Sequence, residues 1–393
     1  MNKSIKHALI ATIFLRLVPS VLLAIVSILK PIEQCPNYYP CSQVYFTYLQ
    51  KSGDFSRLFL APWYRWDTVH YIEIAQQGYR LDQIDNTTWP PLYPLLTGLL
   101  GVIMPTMAAA LIVSTIATFF FFYLLHRLIT EKWNENLADQ VLLLFIVFPG
   151  SIFLVAGYSE AVFNALALAC FYFIARKKWL LSALFGGMAT LTRHQGIFLA
   201  IPLIWEGFQF LRQQSRFDWL RTLLILCYTA LIPVAFALNA LYIRLIIHAP
   251  WPWVTRADYW QVHYDWPWRG LIGNLLFVLN IDTGNLPYAP MVMSMFFDLV
   301  FILLFIFLIC YKKALLPISY RLYGIAALIP SLIILSNFNT ITGVSRFVVS
   351  VFPAFITLAF LLKNKNAERA WVLASIIIQQ VFLLGFYYWI WIA

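Results

Sequence analysis

Long uncharged apolar runs limit this chain more than any other feature it has. Thr106–Leu125 and Ala370–Ile392 hold no Asp, Glu, Lys or Arg. Coiled as helices rising 1.5 Å per residue, about 20 such residues cross the ~30 Å hydrocarbon core of a bilayer. Only 11% of the 393 residues are charged and 62% are hydrophobic, where a soluble domain carries roughly a quarter charged. The fold class expected is therefore all-α and multi-span. Long continuous runs, as opposed to short alternating strands, exclude an outer-membrane barrel.

Hydropathy places spans at His7–Ile28, Thr106–Leu125, Ala138–Gly157, Glu160–Ala175, Trp179–Leu191 and Ile197–Phe210. Leu220–Ile247, Pro290–Tyr311, Leu315–Ser336, Phe347–Leu362 and Ala370–Ile392 bring the count to eleven. Pro91–Met104 is apolar but too short to cross, so it is expected as an interfacial or re-entrant helix. Met1–Lys6 is basic, and no small-residue cleavage site follows Ile28, so the first span is expected to stay uncleaved. No polar stretch is long enough for a soluble domain, which leaves one membrane domain over residues 1–393.

Basic residues orient these spans. Lys3, Lys6, Arg127, Lys132, Arg176, Lys177, Lys178, Arg212, Arg216 and Arg221 fall on one side, with Lys312, Lys313, Arg321, Lys363, Lys365 and Arg369. By the positive-inside rule that side is cytoplasmic, and so is the N-terminus. The net charge of +10 is thereby read as loop charge and not as a nucleic-acid surface. Making Pro91–Met104 a full span would throw Arg176–Lys178 to the wrong side. The outer face then holds the long polar segments, chiefly residues 29–105 and 248–289. In the first of these Cys35 and Cys41 are spaced so that an oxidising compartment would allow a disulfide. Cys170, Cys227 and Cys310 fall inside apolar runs as small hydrophobes.

Chemistry concentrates on that outer face. Arg65-Trp66-Asp67-Thr68-Val69-His70-Tyr71 sets an acid among aromatic and apolar neighbours, which raise its proton affinity unless a cation compensates. Arg65 is the nearest cation in sequence. An N-cap or ion-pair role for Asp67 stands beside a role as general base. Arg65, Arg193, Arg269 and Arg346 all lie at outer span ends or loop edges, where several guanidinium forks together suit a phosphate. Glu160 follows Tyr158-Ser159 at a span end and reads as a counter-ion to one of them. His248–Gly270 carries five tryptophans, which suit the headgroup layer and equally a sugar face. Walker, GxGxxG, HExxH and GxSxG patterns are absent. Gly186-Gly187 reads as a helix-contact patch.

Five islands in order then resemble the PIG-V family, the GPI mannosyltransferase 2-like enzymes of the GT-C class of lipid-sugar-dependent glycosyltransferases. They are Arg65–Tyr71 continuing to Ile74–Tyr79, Trp89-Pro90-Pro91-Leu92-Tyr93-Pro94, Phe148–Phe153 with Tyr158-Ser159-Glu160, Thr190–Gly196, and Ser345-Arg346-Phe347 with Phe352-Pro353. Arg193-His194-Gln195 departs from the family's usual arginine and small polar pair, which leaves the acceptor open and gives His194 a place in acceptor choice.

The resemblance implies an inverting transfer of mannose from a polyprenyl- or dolichyl-phosphate donor to a lipid-linked or glycan acceptor at the outer face. Asp67 would be the base, and Arg346 and Arg193 would hold the donor phosphate. Trp66, His70, Trp89, Tyr93, Glu160, His194 and Arg65 would line the sugar and acceptor space. No metal and no other cofactor is expected, because a leaving monophosphate can be matched by arginine. A different lipid-phosphate sugar, or a transporter or flippase for a lipid-linked substrate, stands as the alternative. The absence of internal repeats and broken helices disfavours transport. Length and the lack of a retention signal lean towards a prokaryotic plasma membrane over the endoplasmic reticulum.

Overall fold

The computed structural model describes residues 3–32, 53–214, 218–279, 289–312 and 315–391. Cys35 and Cys41 lie outside the described residues. The described chain is almost wholly helical. Its one ladder is antiparallel and minimal, pairing β1 (His263–Tyr264) with β2 (Ile334–Leu335). The protein is an all-α integral membrane protein. Among the described residues, five helices are long and apolar enough to cross a bilayer, or six if one bent pair counts as a span.

The helices follow the apolar runs closely. In order they are α1 (Lys3–Leu29), α2 (Asp67–Gln77), α3 (Leu92–Gly101), α4 (Thr106–Lys132), α5 (Glu135–Val147) and α6 (Glu160–Ala175). Then come α7 (Trp179–Thr190), α8 (Ala200–Arg212), α9 (Trp219–Leu245), α10 (Pro252–Tyr259) and α11 (Pro267–Val278). The last five are α12 (Ala289–Cys310), α13 (Ile318–Ile333), α14 (Val344–Phe347), α15 (Phe352–Leu361) and α16 (Lys365–Tyr387). The expected interfacial segment is the ten-residue α3, about 15 Å long and half of what a crossing needs. Gly186 sits where a Cβ would lie 2.6 Å from Ile232 Cδ1, so the small-residue patch of α7 lets α9 approach closely.

Two of the expected spans are not continuous, so the expectation of unbroken helices is not met and no longer weighs against transport. The run Ala138–Gly157 stops being α-helical at Val147 and continues as a 3₁₀ turn over Pro149–Leu154. Phe148 precedes a proline, which pushes it to an extended backbone (φ −64°, ψ 134°). The carbonyls freed there are not abandoned. The Gln379 amide of α16 donates to Ile146 O at 2.9 Å and to Phe148 O at 3.0 Å, and non-helical backbone at this depth needs such partners. The run Phe347–Leu362 is broken just before Pro353, and the two pieces meet at 87°. Proline cannot donate and clashes with the preceding turn. Both breaks expose backbone that hydropathy alone reads as span interior, and both feed the same place.

Candidate active site

Asp67 opens α2 and Glu160 opens α6. Each carboxylate thus sits where unpaired N–H groups and the helix dipole favour negative charge. Trp66, just before Asp67, has φ +51° and ψ −127°, an unfavourable backbone for a bulky side chain. Its ring meets Trp389 at 5.5 Å and Trp391 at 5.0 Å. The packing of the C-terminal aromatics therefore holds the turn that aims Asp67.

The structure brings Asp67, Glu160, Arg193 and Arg346 together. Arg346 Nη1 donates to Asp67 Oδ2 at 2.6 Å, and its Nε lies 3.1 Å from Glu160 Oε1. Arg193 Nη1 forms an ion pair with the same Glu160 oxygen. Phe347 lies under both guanidiniums, 5.0 Å from Arg193 and 5.1 Å from Arg346. Two acids and two bases so placed balance in charge, which low-dielectric surroundings demand. Burial pushes the Asp67 carboxyl up, but Arg346, His70 and Arg193 outweigh it and hold the group below its ordinary value. Tyr71 joins through its hydroxyl, 2.7 Å from Ser159 Oγ.

Arg346 is placed by a residue that the motifs do not contain. Asp298, in the middle of α12, accepts the backbone N–H groups of Gly343, Val344 and Ser345 at 3.1, 2.9 and 3.3 Å. It is fully buried, and it fixes the turn that delivers Arg346. Its signal in the sequence was a lone carboxylate in a 22-residue apolar helix, where a charge rarely survives without a task. The Phe148-Pro149-Gly150 motif supports the same turn from the other side. A Cβ at Gly150 would overlap the carbonyl oxygen of Ser345. Gly150→Ala is expected to lower stability by about 1–3 kcal/mol, read as a drop in thermal midpoint, and to lower transfer with it. An unchanged midpoint would show that this contact is slack.

The other expected site residues divide. His70 gives Nδ1 to Asn86 Oδ1 at 2.8 Å and lies 3.3 Å from Asp85 Oδ2. Trp89 stacks on its ring at 4.3 Å, and Trp260 closes on both edge-first, at 5.5 Å from His70 and 5.4 Å from Trp89. This makes an aromatic wall beside the acid. Tyr93 is fully buried, its hydroxyl 3.0 Å from Ser114 Oγ, so it props Tyr71 from below and is not a wall. Arg65 does not supply the cation that contacts Asp67. It donates to Tyr387 O at 2.9 Å and Ala61 O at 2.7 Å and lies over the Tyr387 and Trp389 rings, tying the motif to the end of α16. His194 packs on Phe236 at 5.3 Å and is 3.4 Å from Asn239 Nδ2. Burial, with Arg256 and Arg193, pulls its pKa down to about 4, so it is neutral near pH 7.

Burial acts against charge on His70, yet Asp85 and Asp67 outweigh it and raise its pKa above the ordinary 6.5. The stability it contributes is then full below pH 6.5 and lost as pH rises through the raised value. His70→Gln should cost most at low pH, and its thermal midpoint should converge on that of the parent as pH rises. A gap that widened with pH would contradict this.

Arg256 is a second site residue that the motifs do not contain. It lies on α10, one turn before Trp260, whose N–H donates to Arg256 O at 3.2 Å, so both share a helix face. Its charge is felt by His194 and interacts with those of Arg346, Arg193 and Asp67. Among the described residues no carboxylate forms an ion pair with it. A tryptophan-rich loop read as membrane interface hid it.

A buried acid gripped by arginines and walled by aromatics, at one end of a helical membrane bundle, suits a membrane-embedded glycosyltransferase. A family profile described as mannosyltransferase (PIG-V) matches residues 5–243, and the chain belongs to that family. It is similar to GPI mannosyltransferase 2 of Schizosaccharomyces pombe, 27% identical over 160 residues, covering 39% of this chain and 33% of the relative. The same-named protein of Yarrowia lipolytica is 26% identical over 149 residues, 38% of this chain and 41% of the relative. GPI alpha-1,6-mannosyltransferase 2 of Homo sapiens is 27% identical over 146 residues, 34% and 29%. The matched stretches thus span about a third of those relatives' own length. All three come from eukaryotes, so they lend no support to a prokaryotic plasma membrane.

Proposed function

We propose that this chain is an inverting mannosyltransferase that moves mannose from a polyprenyl- or dolichyl-phosphate to a hydroxyl of a lipid-linked glycan. The observation that carries the reading is the 2.6 Å contact between Arg346 and Asp67 inside a buried, charge-balanced cluster. The acceptor oxygen attacks the anomeric carbon as the bond from that carbon to the phosphate oxygen breaks. The hydroxyl proton goes to Asp67, and the bonding pair leaves with the lipid phosphate. Proton transfer of this kind is worth roughly 10²–10⁴-fold, and one carboxylate suffices for a single displacement.

The pairing of Asp67 with Arg346 gives the two events an order. Held by Arg346, Asp67 is a weak base. A donor phosphate competes for the Arg346 fork and so frees Asp67 to accept a proton only once donor is bound. Arg256 supplies the net positive charge that the balanced cluster lacks, and Arg193 stays with Glu160. Trp89, His70, Trp260 and Trp66 orient the sugar. No step requires a metal or other cofactor.

We place this site at the outer face. The opposite end of the bundle carries Lys3 paired with Glu135, and Arg127 and Arg176 paired with Glu131, which accords with positive-inside loops. The test is a panel of radiolabelled polyprenyl-phosphate sugars offered to the purified protein with a glycolipid acceptor. Mannose should transfer, and Arg256→Ala should raise the donor KM more than the acceptor KM. Transfer of another sugar in preference to mannose would overturn the donor reading.

A further inference from the structure

At the end of α4 away from Asp67, three side chains from three helices converge. Ser114, beside Tyr93 and Tyr158, marks the site end. His126 follows twelve residues later, about 18 Å along the helix. His7 Nδ1 of α1 lies 2.6 Å from Asp139 Oδ1 of α5, His126 Nε2 lies 3.0 Å from the same oxygen, and the two nitrogens are 3.2 Å apart.

We propose that His7, His126 and Asp139 form a binding site for a divalent transition-metal ion of the zinc class. All three atoms are natural lone-pair donors. Two ligands each about 2.0–2.1 Å from one ion stand roughly 2.9–3.4 Å apart in tetrahedral or octahedral geometry, a range that holds the 3.0 and 3.2 Å edges, while the 2.6 Å edge from His7 to Asp139 has to open slightly to admit the ion. One tautomer of His126 prepares the site for an ion. His126 Nδ1 faces Ser4 Oγ at 2.9 Å and Thr130 Oγ1 at 3.3 Å. Donating its proton there leaves Nε2 with a lone pair directed at the centre. This is the outer hydrogen bond that usually orients a metal-binding imidazole. In that tautomer a proton on His7 serves its edge to Asp139, and the lone pairs of His126 Nε2 and Asp139 Oδ1, 3.0 Å apart, are best joined by a cation between them.

Two imidazoles and one carboxylate suit zinc and its neighbours and do not suit calcium or magnesium. His126 is buried while the Asp139 side chain is 43% exposed, so the ion has both a rigid ligand and an entry path. Bound, it clips α1 onto α4 and α5 and leaves further positions to water. Lys3, one turn before His7 on α1, is engaged by Glu135 at 3.1 Å. The site takes no part in the transfer chemistry.

The test uses the full chain in detergent, stripped with chelator and then titrated with Co²⁺ and Zn²⁺. One ion per chain should bind saturably, Co²⁺ should show visible d–d absorption that Zn²⁺ removes, and Zn²⁺ should raise the thermal midpoint. Ser4→Ala should weaken binding about 10–100-fold, and Asp139→Asn or His7→Gln by more. The last two lie at accessible positions and should fold, which a monodisperse elution profile checks independently of His126→Ala. Absence of saturable binding in the parent, or equal binding in Asp139→Asn and His7→Gln, would overturn the proposal.

Discussion

Asp67→Asn should lower mannosyl transfer by about 10²–10⁴-fold while leaving a folded protein that still binds its lipid donor. Asparagine keeps the shape and can still accept a hydrogen bond from Arg346, but it cannot take a proton. Glu160 continues to face both arginines, so no guanidinium is left without a carboxylate. The expected readouts therefore separate: the thermal midpoint changes little, donor binding is kept or tightened because the neutral amide competes less for the Arg346 fork, and the catalytic rate collapses. Turnover near that of the parent would remove Asp67 from the role of base and leave it as a structural partner of Arg346.

Arg346→Ala should be worse for the fold and differently bad for the reaction. Arg346 is bonded to Asp67 and in ion contact with Glu160, and nearly all of it is buried. Deleting one member of a buried ion pair strands the other and typically costs about 3–5 kcal/mol. A large fall in thermal midpoint is expected. In the protein that remains folded, transfer should drop by about 10²–10³-fold, since a preorganised group facing the developing phosphate charge is lost. Arg346→Lys should recover much of the stability and little of the rate, because an ammonium lacks the planar fork that spans Asp67, Glu160 and a phosphate. Full activity in Arg346→Lys would show that charge alone matters there.

The helical plan of the chain could be read before any coordinates, because apolar length and basic loops are set by the bilayer and not by tertiary detail. All eleven expected spans overlap helices, but among the described residues only five of these helices, or six with the bent pair, are long and apolar enough to cross. What hydropathy could not show is where a span breaks, as before Pro149 and Pro353, since the broken backbone remains apolar in composition. The site residues Asp67 and Arg346 were both singled out, yet their pairing was not. Arg65 is two positions from Asp67 and points to α16, while Arg346 is 279 positions away and makes the contact. Direction is a property of packing. Tyr93 shows the same thing, lying in the right motif but beneath the wall. Asp298 and Arg256 were missed for opposite reasons. One acid was overlooked inside a run already explained by the membrane, and one arginine inside a loop already explained by its tryptophans.

In the proposed reaction a glycosidic bond is made at this cluster. A single-turnover reaction of the purified parent protein with doubly labelled polyprenyl-phosphate mannose and a glycolipid acceptor tests it most directly. Labelled mannose is expected on the acceptor in equal amount to the polyprenyl phosphate released, with inverted anomeric configuration. Donor that crosses the bilayer intact, with no new glycosidic product, would contradict it.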